Sequence, residues 1–244
     1  MNVLLFIKGD SRNVVRDPFM LFVLLAPFLM VVFLQIGVPF LDQQISELTT
    51  FRLMEHRSFM NSIIIAVAPL MVGMVTGFLL IDERDEGVLQ YMDVTPIKKA
   101  GYLLYRMLLP LFIGFFVIVV MALLLRLFTF QNWLLIGFSL LLLSLNGAFV
   151  TSFLAALARN KVEAIVYSKC LSLFMLGPLI HYIVEANWVW LTYIIPITWG
   201  VEALFLVLEG NASISKSVVM IVGGTLTTVI WFLVFMIILK RKTE

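Results

Sequence analysis

Six apolar runs, each about as long as a helix that crosses a bilayer, constrain this chain more than any other feature. They cover approximately residues 18–40, 58–81, 103–128, 133–158, 163–184 and 217–239. Crossing the hydrocarbon layer takes roughly 20 residues of helix, and a helix satisfies its own backbone polar groups in lipid. With 62% hydrophobic and only 13% charged residues, the sequence predicts a single all-α, polytopic transmembrane domain over residues 1–244.

The basic residues between the runs predict the orientation. Of the 17 Lys and Arg residues, four would lie on one side of the six-span arrangement, namely Arg52, Arg57, Arg126 and Lys216, and the other 13 on the opposite side. Cytoplasmic loops carry an excess of Lys and Arg, so we expect a multi-pass protein of the cell (plasma) membrane with both termini in the cytoplasm. The net charge of +2 is too small to indicate nucleic acid binding.

The segment before the first apolar run has its own pattern. Residues 1–17 mix apolar and charged side chains, which favours an amphipathic helix in the headgroup interface. Asp17 can cap the following helix, whose first turn would contain Pro18. The alternative is a basic anchor that only fixes the topology.

Five ionised side chains follow one another from Asp82 to Glu86, between the second and third runs. Charges are costly in hydrocarbon, so residues 82–102 are predicted to form a cytoplasmic loop, with a short helix from about Val88 to Asp93. Lys98, Lys99 and Arg106 follow the acids and could stabilise a compact hairpin. A charged loop joined to two spanning helices is an element that a soluble partner could move.

The outer connector, residues 185–216, is too apolar for water and is interrupted by Pro196 and Gly200. A re-entrant or interfacial helix pair, with Trp and Tyr at headgroup depth, fits this pattern. Glu202 would then be partly buried; a solvated carboxylate at the membrane rim is the alternative favoured on the sequence.

Residue patterns typical of catalysis are missing from the sequence. It contains no glycine-rich phosphate-binding loop, only two histidines and one cysteine, and no Gly-x-Ser-x-Gly motif, so we expect no catalytic residue, no metal site and no cofactor in this chain. Cys170 lies in an apolar run and is expected to be a buried packing residue. Gly73 and Gly77 would allow close helix contact, either within the chain or between two copies.

A greasy translocation path is a further hypothesis, although packing or lipid-facing positions are the favoured alternative for its apolar members. The candidate path residues are Met71, Met74, Phe78, Phe174, Met175 and Glu202.

Several motifs together carry a resemblance to a known family. They are Arg16-Asp17-Pro18 at the first span, Glu83 to Gln90 at the end of the second, Val94-Thr95-Pro96, and Tyr102-Leu103-Leu104. In this order the chain resembles the permease subunits of type-two ABC exporters, of the bacterial multidrug, lipid or peptide export type. Val88 departs from the pattern, since the family often has threonine there.

The resemblance implies that two six-span subunits pair, as a homodimer or a heterodimer, and that separate ABC ATPase subunits bind ATP and Mg²⁺. It also implies a connecting helix over about Asn2 to Arg16 and a coupling helix over about Val88 to Asp93. The implied ATPase-coupling residues are Arg16, Asp17, Glu83, Arg84, Asp85, Glu86, Gly87, Val88, Gln90 and Tyr91.

The leading hypothesis is therefore ATP-driven export of an amphipathic compound, such as a drug, a lipid or a peptide. An ion-coupled secondary transporter is the main alternative, and it would favour ionisable groups in the middle of the membrane. An integral membrane enzyme is a third possibility, and it would need a catalytic cluster that the sequence does not display.

Overall fold

The structure is a computed structural model, and it describes residue 16 and residues 18–92, 98–129, 132–210 and 214–243. Of the described residues, 90% are helical, and none of them forms a strand. The helices are α1 (Pro18–Val32), α2 (Val38–Leu48), α3 (Arg57–Asp85), α4 (Val88–Met92), α5 (Lys98–Leu124), α6 (Trp133–Leu157), α7 (Lys161–Phe174), α8 (Leu176–Ile183), α9 (Pro196–Glu209) and α10 (Ile214–Thr243). A π-helical turn, Phe33–Gly37, joins α1 to α2, and 3₁₀ turns cover Leu53–His56 and Asn187–Ile194.

The described ranges contain six helical stretches long and apolar enough to cross a membrane. They are Met20–Leu48, Leu53–Asp85, Gly101–Leu124, Trp133–Leu157, Lys161–Ile183 and Ile214–Arg241. The predicted all-α, six-span fold is thus confirmed. The first stretch runs eight residues beyond its predicted end at residue 40, because the π-helical turn continues the helix instead of ending it.

The centre of the bundle is formed by α3 and α6. We compared the most apolar 18 residues of each stretch. Of these residues, 72% are buried in the stretch that contains α3 and 67% in α6, against 17% in α10. The two central helices therefore hold the core, and the other long helices present much of their apolar surface outward. That exposed surface is what a bilayer or a second subunit would cover.

Small residues explain why α3 and α6 come so close. A Cβ atom added at Gly73 would lie 2.4 Å from the Gly147 carbonyl oxygen. Nearby, the hydroxyls of Thr76 and Thr151 are 2.6 Å apart, and Thr151 also donates to the Gly73 carbonyl at 2.9 Å. Close backbone approach with hydroxyl hydrogen bonds is the usual device for joining helices in lipid. Gly73 therefore serves packing within the chain, the first of the two predicted alternatives.

The predicted pair of short helices in the connector is present. The 3₁₀ turn Asn187–Ile194 and helix α9 are bent by 114° relative to each other, and the break coincides with Pro196. Gly200, however, does not interrupt a helix. It lies inside α9, where an added Cβ would be 2.6 Å from the Leu143 side chain, so it permits tight packing on α6. The depth of this pair in a bilayer stays a prediction.

The expectation for Cys170 is wrong. Its side chain is exposed on α7, because α7 lies at the periphery of the bundle and an apolar sequence run in a membrane protein has a lipid-facing side. Apolar sequence alone does not distinguish that side from the core.

Candidate coupling site

The last turn of α3 is joined to α5 by a buried ion pair. Arg106 on α5 donates from Nε to Oε2 of Glu83 at 2.9 Å, and its Nη2 donates to Oε1 of the same carboxylate. The arginine side chain is 1% exposed and that of Glu83 16% exposed. A two-point arginine–carboxylate pair fixes orientation as well as distance. The Tyr102 ring, with its centroid 5.9 Å from the guanidinium carbon, adds a further contact.

The next residue, Arg84, joins α3 to the end of α6. Its two terminal nitrogens donate to the carbonyl oxygens of Ala155, at 3.3 Å, and Ala158, at 2.8 Å. The last carbonyls of a helix have no partner within the helix and carry partial negative charge. Arg84 therefore supplies both hydrogen bonds and positive charge where α6 ends.

The residue before the pair, Asp82, joins α3 to α7. Lys161 Nζ donates to Asp82 Oδ2 at 2.8 Å, and this pair is considerably more exposed than that of Glu83 and Arg106. The start of α7 is fixed locally, because the Asn160 side chain accepts from the Glu163 amide at 2.9 Å. An asparagine before the first helical turn is a standard cap. Three consecutive side chains thus contact three different helices; we call Asp82, Glu83 and Arg84 the helix clamp.

Beyond the helix clamp the chain turns outward. Gly87 has φ +75°, a left-handed conformation that glycine adopts without steric cost and that commonly follows the end of a helix. Helix α4 begins directly after it and is anchored by Leu89, which is 5% exposed. Four side chains between the last residue of α3 and the end of α4 are exposed, and for brevity we call them the outer face of α4: Asp85 and Glu86, just before the helix, and Gln90 and Tyr91 on it.

The predicted coupling residues therefore separate into two groups. Glu83 and Arg84 point into the bundle, whereas the outer face of α4 is accessible; Val88 is half-buried between them. Arg16 is exposed, while Asp17 and the rest of the predicted connecting helix lie outside the described residues. The structure contains a short helix where a coupling helix is predicted, and its coupling role stays a prediction.

Two residues of this site, Arg106 and Lys161, are not among the coupling residues predicted from the sequence. Arg106 was expected only to help Lys98 and Lys99 stabilise a hairpin with the acids, and Lys161 was counted only as a basic residue between two spans. The available signal was the position of Arg106, inside an otherwise apolar run, because an ionisable residue there nearly always has a partner. The partner itself could not be chosen, since Glu83 is one of several acids in the same stretch.

The candidate path residues fall in separate places. Phe78 is 1% exposed and belongs to the core, and Met71 and Met74 are partly buried against it. Phe174 contacts the rings of Phe149 and Phe153, each with a centroid distance of 5.8 Å. Met175 lies at the break between α7 and α8. A path lined by these side chains stays a prediction.

The remaining path candidate, Glu202, borders the same cavity as Phe59 in the first turn of α3. Phe59 and Glu83 of the helix clamp are 24 residues apart (83 − 59), about 36 Å along that helix at 1.5 Å per residue. Glu202 Oε2 accepts from the Tyr193 hydroxyl at 2.8 Å and lies 2.7 Å from His181 Nε2. The side chain is only 11% exposed, so the favoured expectation of a solvated rim carboxylate is wrong; the bend before α9 folds Tyr193 back over it. Tyr193 belongs to the connector, where burial and then the Glu202 carboxylate raise its pKa.

The family model for fluoroquinolones export permease protein Rv2686c-like matches residues 10–236. The chain belongs to this family of export permeases. Two relatives from Mycobacterium tuberculosis, the fluoroquinolones export permease proteins Rv2686c of strain H37Rv and MT2760 of strain CDC 1551, are each 20% identical over 205 residues, covering 82% of this chain and 80% of the relative. No solved structure matches the chain.

Membership in the family confirms the expected resemblance to the permease subunit of an ABC exporter. It also identifies the chain as a transporter subunit rather than an enzyme. The match includes the helix clamp and all six apolar stretches except the last residues of α10, so the family covers both the transmembrane bundle and the candidate coupling site.

Proposed function

We propose that this chain is the membrane-spanning subunit of an ATP-driven exporter and that the helix clamp transmits movement from a separate ATPase to the bundle. One observation carries the proposal. Asp82, Glu83 and Arg84 contact α7, α5 and α6, while the outer face of α4, only a few residues further on, is accessible. A partner that moves α4 would therefore act on four helices together.

The transmission requires α4 to move with α3. Only Glu86 and Gly87 separate the two helices, and Gly87 donates its amide to the Arg84 carbonyl at 3.1 Å. A partner that contacts the outer face of α4 differently in its ATP-bound and ATP-free states would shift the equilibrium between two arrangements of the bundle. The coupling is then a difference in contact energy between the two states.

The proposal places the helix clamp in the cytoplasm, as the distribution of basic residues indicates. ATP and Mg²⁺ would be bound by the partner ATPase, and this subunit would pair with a second copy or with a similar permease in the cell membrane. The compound exported would be amphipathic. Two relatives of this chain are named for fluoroquinolone export, which supports a drug-like substrate.

A test begins with recovery of the ATPase from native membranes. Tagged full-length protein should co-purify with an ABC ATPase subunit, identified by mass spectrometry. The double variant Glu86→Ala/Tyr91→Ala removes two side chains of the outer face, and we expect recovery to fall about tenfold, equivalent to about 1.4 kcal/mol, with no loss of folded protein. A matched control, Glu47→Ala/Trp190→Ala, removes an exposed acid and an exposed aromatic away from α4 and should recover the wild-type amount.

Transport in inside-out vesicles completes the test. Uptake should require ATP, and it should be lost in the outer-face variant but not in the control. Export driven by an ion gradient without ATP, or failure to recover any ATPase with the wild-type chain, would contradict the proposal and favour the ion-coupled carrier.

A further inference from the structure

A cavity lies at the end of the bundle opposite the helix clamp. It has a volume of about 360 Å³, is partly open to its surroundings, and is lined by the start of α3, helix α8, helix α9 and the start of α10. Binding sites for small molecules typically measure about 300–1,000 Å³, so the space is large enough for a compact organic ligand. This cavity takes no part in the proposed coupling mechanism.

One wall of the cavity is aromatic and already ordered. The rings of Phe59 and Tyr182 stack with centroids 3.8 Å apart, and Phe205 meets both edge-on at 5.8 and 5.4 Å. The Tyr182 hydroxyl is 2.5 Å from His56 Nδ1, which holds the tyrosine from its outer edge. A ligand would therefore meet a rigid aromatic surface and would not have to order it.

The charged groups of the cavity are predominantly acidic. Glu185, Glu202 and Glu209 line it, against Lys216 and the His181 ring. Glu202 is held in place by the Tyr193 hydroxyl and by His181. Partial burial strengthens the field of a carboxylate because less water screens it. A positive charge is therefore favoured here, and aromatic faces attract cations as well.

We propose that this cavity binds an organic cation, with its positive charge near Glu202 and its apolar body against Phe59, Tyr182 and Phe205. The inference rests on the proposed function in one respect, because the cation is taken to be an exported compound at the exit side of the permease. A lipid headgroup that carries an ammonium group shares this chemistry, and the experiment separates the two sources.

The test uses two probes of nearly identical shape and opposite charge, tetraphenylphosphonium and tetraphenylborate. Binding to full-length protein in nanodiscs is measured by equilibrium dialysis, with empty nanodiscs subtracted. Tetraphenylphosphonium should bind saturably and tetraphenylborate should not. We expect Glu202→Gln to weaken tetraphenylphosphonium binding about tenfold. Glu47→Gln, which changes an exposed carboxylate outside the cavity, should leave it unchanged.

A second variant covers the case in which Glu202→Gln does not fold. Phe205→Leu keeps the charges and removes part of the aromatic wall, so it should weaken binding about threefold or more. The proposal would be overturned if the wild-type chain showed no saturable binding, or if either variant folded and bound tetraphenylphosphonium as tightly as the wild-type chain. Equal binding of tetraphenylphosphonium and tetraphenylborate would also overturn it, because the cavity would then not distinguish a positive from a negative charge.

The nanodisc lipid identifies the source of the cation. Binding in both phosphatidylglycerol and phosphatidylcholine nanodiscs supports an exported compound, whereas binding lost only in phosphatidylcholine means that the choline headgroup occupies the cavity and overturns the assignment to cargo. The assay contains no ATPase. A failure of binding would therefore leave the ATP-driven mechanism standing, and a failure to recover an ATPase would leave the binding result standing.

Discussion

The two ends of the bundle each contain a carboxylate paired with a base, but in different surroundings. At the helix clamp, Glu83 meets an arginine that is 1% exposed and joined to it at two points. At the other end, Glu202 meets His181, which is 27% exposed, beside a cavity of about 360 Å³. The pair at the helix clamp is closely packed and joins two helices, whereas the pair at the opposite end presents a carboxylate to a cavity.

The difference has an energetic consequence. Breaking a largely buried pair leaves one charge without a partner in a medium that solvates it poorly, and the cost is several times that of breaking an exposed pair. A pair that borders a cavity can instead be reached by water or by a ligand. Substitutions at the helix clamp should therefore act on stability, and substitutions of residues that line the cavity mainly on binding.

The largest effect is expected from Arg106→Ala. It leaves the Glu83 carboxylate, which is only 16% exposed, without its guanidinium partner, so the free energy of unfolding should fall by about 3 kcal/mol, the low end of the range for a broken buried pair. The measurement is the unfolding midpoint in a fixed detergent, followed by tryptophan fluorescence. Arg106→Lys keeps the charge but not the two-point geometry and should fall in between.

The matched control for Arg106 is Arg159→Ala, which removes an exposed arginine next to the end of α6. It should change stability by less than about 0.5 kcal/mol. If the two alanine variants unfold at the same midpoint, the pair is not a buried clamp and the contrast between the two ends disappears.

A smaller effect is expected from Tyr193→Phe at the opposite end. The change removes the hydroxyl that donates to Glu202 at 2.8 Å and keeps the ring. A hydrogen bond to a charged group contributes about 1.5–3 kcal/mol, and we expect the lower value because water can enter the cavity. Tetraphenylphosphonium binding should be retained, since Tyr193 does not line the cavity.

Two outcomes would change this interpretation. A loss of stability as large as that of Arg106→Ala would show that Glu202 also belongs to a closed structural pair. Loss of binding without loss of stability would show that Tyr193, and not only Glu202, sets the position of the ligand.

The fold could be predicted from sequence because its main determinant is local. An apolar run of sufficient length must be helical in lipid, and the six runs follow from counting. The helix clamp was predicted only in part: the charges from Asp82 to Glu86 had to leave the hydrocarbon, yet which of them turn inward depends on where the bundle brings Arg106 and Lys161. Such pairings connect residues more than 20 positions apart and are a property of tertiary packing.

The cavity could be predicted least. Glu202, His181 and Phe59 lie on three separate segments, and their meeting depends on the 114° bend before α9. Proline at position 196 indicates that a break occurs, but not its angle. The expectation of a solvated Glu202 carboxylate was wrong for this reason, since nothing in the sequence indicates that the Tyr193 hydroxyl folds back onto it.

The smallest effect is expected from Asp82→Asn, at the exposed edge of the helix clamp. Lys161 and Asp82 are 43% and 30% exposed, and ion pairs of this kind contribute about 0.2–1 kcal/mol because water and salt screen them. Unfolding midpoints at low and high salt should therefore differ less for Asp82→Asn than for the wild-type chain. In contrast, the loss caused by Arg106→Ala should be nearly independent of salt, because its pair is shielded from solvent. Equal salt dependence of the two losses would mean that both pairs have the same access to water, and that the helix clamp has no buried centre.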